Sequence, residues 1–385
     1  MDVFLTGATG FLGGELAVLL AKTPAIGRIY CLVRDYDGHQ APSRLEPVFQ
    51  FHGDHFDRSK VVPVVGDLAD GSLAEKLRRH DELRKVQVVI HAAADTSFAP
   101  ACEENVTKVN VGGTRQILKW AQELPHLKTF VYVGTASICG TDLANSLIHE
   151  DQSPDPGATH LVKYCHTKMV GEIEARRLIP QHQLLIVRPS IIMGDTRDWT
   201  PRSYIILWAL AALNAIRLIP ANPKARLDII PIDYAANAVV ELLFASRQWD
   251  TYHISAGKES ATSVEKAVHA IHDPCDKKPA FKFVSRELLQ QMKRWPKKLS
   301  PSSELHHYHE YLAYWTSVFN GNGNLRLLLS GLEPYFQFIE LNQTFDNSRL
   351  RADTSLGNPT PPHVYMRANR KYLNDINLTE GALDP

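Results

Sequence analysis

The segment Thr6–Leu16, TGATGFLGGEL, constrains this chain more than any other, because it sets Gly7, Gly10 and Gly13 between the apolar run Val3–Thr6 and an apolar helical pattern. Glycine at that spacing permits a tight turn from strand into helix. It also lets backbone amides approach a pyrophosphate, whose charge then rests at the positive end of the helix dipole. A glycine trio alone would be weak, since ordinary turns also select glycine; a strand before it and a helix after it make the binding turn the stronger reading. The candidate contacts are Gly7, Thr9, Gly10, Phe11, Leu12 and Gly13.

From there short β-branched runs alternate with helical patterns: VFLTG, GELAVLLAK, RIYCLVR, VVPVVGDL, QVVIHAAA, TRQILKWAQEL, TFVYVGTAS, KMVGEIEARRL and QLLIVRPSII. Strands alternating with helices predict an α/β fold, a Rossmann-type doubly wound parallel sheet covered on both faces. After about residue 260 the texture becomes helical, aromatic and histidine-bearing, with PKKLSPSS and NGNGN as separators. The expectation is a cofactor-binding domain over residues 1–260, with substrate-lining insertions around 195–230. A smaller, mainly helical C-terminal substrate cap and tail would follow over 261–385. The proline-bearing tail from Gly357 reads as a segment that wraps the surface or is partly mobile.

Lysine plus arginine equals aspartate plus glutamate at 42 each, so no net field favours nucleic acid or an anionic membrane. The five cysteines are spread without metal-ligand spacing, which predicts reduced thiols in a cytoplasmic protein and no metal site. The first strand begins almost at Met1, so no secretory signal is expected. Tyr204–Ile216 (YIILWALAALNAI) is apolar but falls short of the ~20 residues a bilayer crossing needs, which predicts no transmembrane segment and leaves peripheral membrane contact open. Oligomeric state is not written in these patterns.

Arg34 falls 21 residues after Gly13, where this fold meets the adenosine ribose. A guanidinium there suits a 2′-phosphate and favours NADPH; the neighbouring Asp35 would instead accept from a free 2′-hydroxyl, or both are solvated turn residues. Asp67 and Leu68 close the third strand, Asp67 either accepting from the adenine amino group or making a turn. Ala92 and Ala93 close the fourth with side chains small enough to pass a cofactor, and Pro189 ends a later strand beside it.

Tyr164 and Lys168 stand four apart on a helical pattern, which puts phenol and ammonium on one face. There the cation would lower the phenol's pKa and bind the nicotinamide ribose. Thr135, directly after the strand ending in VGT, is the expected second hydroxyl on the substrate oxygen, with Ser137 in reserve. Asn110 begins a helix near the site, as a holder of a proton-relay water or as an ordinary N-cap. His306, His307 and His309 read as a solvated face without convergence, and Cys165 as a core or surface thiol.

TGATGFLG, CLVR, GDL, HAAADTSF, NVGGT, YCHTK and RPSIIMG together resemble the extended short-chain dehydrogenases over residues 1–260. CLVR, VIHAAADTSF, RPSIIMGD and RLDIIPIDYAANAVVELL are similar to the fatty acyl-CoA reductases and thioester reductase domains, the male-sterility group, as is the later LEPYFQFIELNQTFDNSRL. The resemblance implies a Tyr/Lys/Thr site reducing an acyl-CoA or carrier-bound acyl thioester with NADPH, to aldehyde or alcohol. Tyr204–Ile216 would line an acyl tunnel or form ordinary core. The alternatives are another extended reductase or epimerase acting on a nucleotide sugar, sterol or small carbonyl compound, and a non-catalytic cofactor-binding sensor.

Overall fold

A computed structural model describes residues 1–35, 41–197, 204–273, 275, 277–294, 304–319 and 322–379. PKKLSPSS, part of NGNGN and residues 198–203 of the expected insertion lie outside the described residues. Seven strands form one sheet: β1 Val3–Thr6, β2 Ile29–Val33, β3 Val61–Val65, β4 Val88–His91, β5 Thr129–Val133, β6 Leu184–Pro189 and β7 Thr251–Ile254. Their spatial order is 7-6-5-4-1-2-3 and every neighbouring pair is parallel. Chain order therefore reverses beside β1, and its C-terminal loop adjoins that of β4. A doubly wound sheet opens its ligand crevice at such a switch point.

The strands read as near-continuous apolar runs because both faces are covered. On one face Leu16, Ala17 and Leu20 of α1 (Phe11–Lys22) pack with Val3, Leu5 and Ile29. The opposite face takes Leu73 and Leu77 of α2 (Leu73–Arg78), Ile117, Leu118 and Trp120 of α3 (Thr114–Ala121), and Ala175 of α4 (Lys163–Leu178). Helices α5 (Tyr204–Ile216) and α6 (Ile232–Phe244) follow, and α6 returns Ala235, Val239 and Leu242 to the α1 face.

Helices α7 (Val264–Ile271), α8 (Arg286–Lys293), α9 (His309–Val318) and α10 (Asn322–Leu341) come after β7. The helical core gathers Trp208, Ala212 and Ile216 of α5 with Leu289, Met292, Trp315, Leu325, Leu332 and Phe336. By packing, then, α5 sits with the cap although it lies far earlier in the chain. Trp315 Nε1 donates to the Ile216 carbonyl at 2.9 Å, closing the end of α5 against α9. The tail departs from the expected surface wrap. Pro362–Asn369 forms a helix, α11, with proline in its first turn, and buries Tyr365 and Met366 with Ala267 and Ile271 of α7.

Two buried carboxylates stitch the chain after α10 to the end of β7. Glu150 accepts from the backbone N–H of His253 at 3.0 Å and of Arg349 at 2.9 Å. Asp228 accepts from Ala256 N at 2.7 Å and Phe345 N at 2.9 Å. Leu350 then re-enters the sheet core, and Asp353 accepts from Tyr252 Oη at 2.6 Å. Burial pushes Glu150 up to about 7 and Asp228 to about 6, so the folded chain holds these protons more tightly than the unfolded one. Their share of stability is full below the unfolded pKa, near 4, and is lost as pH rises through 6 and 7. Glu150→Gln should cost about 1–3 kcal/mol, because one buried N–H then faces an amide nitrogen. In urea unfolding the gap to the parent protein should narrow between pH 5 and 8; a widening gap would contradict this account.

Candidate active site

The glycine loop has the close contacts its sequence predicts. Gly7 has φ +81°, and a Cβ there would lie 2.9 Å from Ala93 N. At Gly13 a Cβ would lie 2.1 Å from the Gly7 carbonyl oxygen, so helix α1 starts against the turn itself. Gly10 is exposed at the mouth, Thr9, Phe11 and Leu12 are half-buried, and the first turn of α1 carries no acidic residue. An open amide-lined cradle without opposing charge fits a diphosphate. Arg34 follows β2 directly and is exposed. Arg44, which the sequence reading overlooked, donates from Nη1 to the Arg34 carbonyl at 2.7 Å, so a second guanidinium stands at the same strand end. Asp67 Oδ1 accepts from Ala69 N at 2.9 Å, a turn made by its own side chain, while Leu68 is buried against Gly113. Ala92 and Ala93 line the switch point, and Pro189 ends β6.

Tyr164 and Lys168 occupy the first turns of α4. The expected lowering of the phenol is not found. Burial, then Cys165, pushes Tyr164 well above the ordinary tyrosine value, so it is a neutral hydrogen-bond donor. Burial brings Lys168 down to about 7 against the opposing pull of Glu172, and its Nζ lies 4.7 Å from the centre of the Tyr132 ring. Thr135 is buried and caps the turn Ala136–Cys139; its Oγ1 accepts from Ser137 N at 3.3 Å, which leaves its proton to donate elsewhere. Ser137 is half-buried in the same turn.

Asn110 does not begin a helix. It lies inside the π-helical turn Lys108–Gly113, where an extra residue per turn re-aims side chains. Its Oδ1 accepts from Asp95 N at 2.7 Å, and its Nδ2 donates to Asp95 O at 2.9 Å and Thr167 Oγ1 at 3.0 Å. Thr167 in turn donates to the Tyr164 carbonyl at 2.8 Å, so Asn110 orients the tyrosine's turn instead of capping. A second chain reaches Asn110 from the glycine loop. Thr6 Oγ1 accepts from Ala93 N and meets His91 Nδ1 at 2.9 Å; His91 Nε2 meets Thr114 Oγ1 at 2.9 Å. Because Thr114 donates to the Asn110 carbonyl, it must accept from His91, which fixes the proton on Nε2. His91 is held neutral, pushed down to about 3 by burial and by Lys168.

Above Tyr164 the cap supplies an aromatic wall that sequence reasoning missed. The Phe98 ring lies 6.3 Å from that of Tyr164, 5.8 Å from Tyr335 and 5.7 Å from Phe338, all four being half-buried. Trp208 of α5 stands behind, 6.1 Å from Tyr335. Phe98 follows the alanines of β4 and was quoted above only for its likeness to other chains; nothing in the local pattern brings it to residues more than 230 positions away. Most of α5 is cap core, with Trp208 its link to the wall.

Among the described residues no three His, Cys, Asp or Glu side chains gather to hold a metal. His306, His307 and His309 are exposed, although two of the rings do converge, His306 stacking on His309 at 5.8 Å. Cys165 is a buried thiol pushed up to about 12, hence protonated and inert. No helix among the described residues is long and apolar enough to cross a membrane.

With this geometry in hand, comparisons with known proteins are informative. The family described as "Male sterility protein" matches residues 5–239, more than half of the chain. A putative fatty acyl-CoA reductase of Drosophila melanogaster is 27% identical over 62% of this chain and 54% of its own length. Human fatty acyl-CoA reductase 2 is 27% identical over 66% of this chain and 58% of its own. The chain thus spans little more than half of these relatives. Among solved structures, the terminal R domain from the myxalamid PKS-NRPS biosynthetic pathway superposes with a TM-score of 0.69 at 20% identity, covering 97% of this chain and 90% of that one. A UDP-glucuronic acid 4-epimerase from Bacillus cereus, in complex with NAD, gives 0.63 at 16% identity over 97% and 99%. At such identities the superpositions establish the fold. Gly13→Ala should weaken nicotinamide-nucleotide binding at least ~10-fold, since its methyl displaces the Gly7 carbonyl from the turn. Fluorescence titration checks this, and unchanged affinity would remove the loop from the cofactor site.

Proposed function

Because the chain belongs to the male sterility protein family, we propose that it reduces an acyl thioester with NADPH at a site made by Thr135, Tyr164 and Lys168. It is an oxidoreductase of the short-chain dehydrogenase/reductase type with a nicotinamide cofactor. In this reading residues 1–260 chiefly hold the cofactor and 261–385 chiefly cover the substrate. The observation that carries the acyl assignment is the aromatic wall of Phe98, Tyr335 and Phe338 against Tyr164. Such a surface favours an apolar chain through burial and offers few of the donors and acceptors that a nucleotide sugar's hydroxyls require. The fatty acyl-CoA reductases among its relatives and the reductase-domain neighbours favour the same substrate class.

When bound, the nicotinamide supplies the hydride. Tyr164 donates to the reacting carbonyl oxygen, and Thr135, whose Oγ1 is already an acceptor from Ser137, donates to it from the strand side. The balance is thioester, hydride and proton giving aldehyde and thiol. Lys168, as ammonium, binds the nicotinamide ribose and draws negative charge towards the site. Arg34, joined by Arg44, takes the 2′-phosphate and selects NADPH. The aldehyde leaves as product or receives a second hydride after cofactor exchange.

Oxidation of NADPH should be stimulated by long-chain acyl-CoA or carrier-bound acyl thioesters, and not by UDP-sugars; the reverse order would replace this reading with the epimerase-like one. With NADPH prebound, Tyr164→Phe should slow single-turnover reduction of an aldehyde by at least ~100-fold while cofactor affinity survives. A rate near the parent's would show that Tyr164 is not the donor. Arg34→Ala should raise the KM for NADPH far more than that for NADH, and equal effects on both would remove the 2′-phosphate role.

A further inference from the structure

We infer that Tyr132, seated by Gly171, is the positioning residue of Lys168: its ring face carries the lysine ammonium and its hydroxyl holds the lysine's own backbone. The inference rests on the role proposed above for Lys168. Tyr132 lies on β5 and is fully buried. Its ring centre is 4.7 Å from Lys168 Nζ, and its Oη donates to the Lys168 carbonyl at 2.9 Å. One side chain thus fixes both ends of the lysine. The approach needs a bare helix face. A Cβ on Gly171 would fall 2.2 Å from Tyr132 Oη and 3.0 Å from Cζ, so any larger residue would push the ring away.

The other groups facing Lys168 explain why the ring matters. Glu172, one turn on, is the obvious counter-ion, but its oxygens accept from Arg188 Nη2 at 2.6 Å, Arg188 Nε at 3.0 Å and Arg176 Nη2 at 2.9 Å. Its charge is therefore already shared between two guanidiniums. His91 on β4 lies 6.1 Å from the Tyr132 ring and is held neutral by burial and by Lys168 itself, so it neither repels nor attracts strongly. Tyr164, one turn earlier, is a neutral phenol. Lys168 is buried and, among the described residues, has no carboxylate of its own, so the ring's negative face favours the ammonium over the amine.

Fluorination of the ring tests this without changing its shape. Tyr132→Phe is made first, and then site-specific incorporation of mono-, di- and trifluorinated phenylalanine drains the ring's negative face. The Lys168 ε-carbon is followed by NMR across a pH titration of the NADP-bound protein, its signal assigned by its loss in Lys168→Arg. The titration midpoint should fall stepwise with fluorination, by about half a pH unit or more over the series. The basic limb of the kcat/KM profile should move with it. A midpoint that stays put would overturn the inference. The clash supplies an independent check: Gly171→Ala should impair turnover in the Tyr132 protein and be partly rescued by Tyr132→Phe, whereas no rescue would refute the claimed seating. If Lys168→Ala retained thioester reduction, the role proposed for Lys168 would fall while the titration result stood. If Lys168→Ala were inactive and the midpoint unmoved, only the role of Tyr132 would fall.

Discussion

The structure depends on how closely two adjacent strand ends approach each other at the switch point. β1 ends in Thr6 and β4 in His91, and their side chains meet while Thr6 also accepts from Ala93 N. Immediately beyond, Gly7 lies so near Ala93 that no Cβ fits between them. The glycine loop and the end of β4 are thereby one unit. Everything on the far side is registered to it through His91, Thr114 and Asn110, ending on the turn that bears Tyr164. Buried polar groups of this kind are costly unless every donor finds an acceptor, and here the donor count closes only with one histidine tautomer.

The cap is tied to that unit at two levels. Aromatic contacts bring Tyr335 and Phe338 of α10 to Phe98 beside the site. Just past α10, Glu150 and Asp228 each bridge a β7-side amide to an amide of the returning chain. Those carboxylates cost desolvation, as their raised pKa values show, but four backbone N–H groups that would otherwise be buried without partners are satisfied. The aromatic residues of α10 are consequently held near Tyr164 partly by these carboxylates earlier in the chain.

How much of this the sequence disclosed follows from the range of each interaction. The glycine turn, the strand ends and the Tyr164/Lys168 spacing are local, and the first strand lies where the pattern put it, at Val3–Thr6. Helix α5 was legible with its bounds, yet its side chains serve the cap core because it meets Trp315 and Tyr335 only in three dimensions. The tail was misread since its prolines suggested a surface strap, whereas Pro362 starts helix α11, whose Tyr365 and Met366 are buried. Asn110 was misplaced because a π turn leaves no propensity signature. Phe98, Tyr132 and Arg44 were missed for one reason. Each acts through a partner distant in sequence or through backbone geometry, which periodicity does not encode.

The electrostatic character of the pocket is the part least visible in the sequence, and it alters how the tyrosine works. Four-residue spacing suggests a lysine lowering a phenol's pKa, but spacing says nothing about solvent. Burial raises Tyr164 and lowers Lys168, moving both towards their neutral forms. A neutral phenol is a donor without being a base, which suits stabilising an oxyanion more than abstracting a proton. The neighbouring thiols follow the same rule, Cys139 rising to about 11 and Cys165 to about 12, so neither competes as a nucleophile for an electrophilic carbonyl. Burial thus keeps the thiols protonated and Tyr164 a neutral phenol. Lys168 lies against the face of Tyr132, an approach that the bare helix position at Gly171 permits.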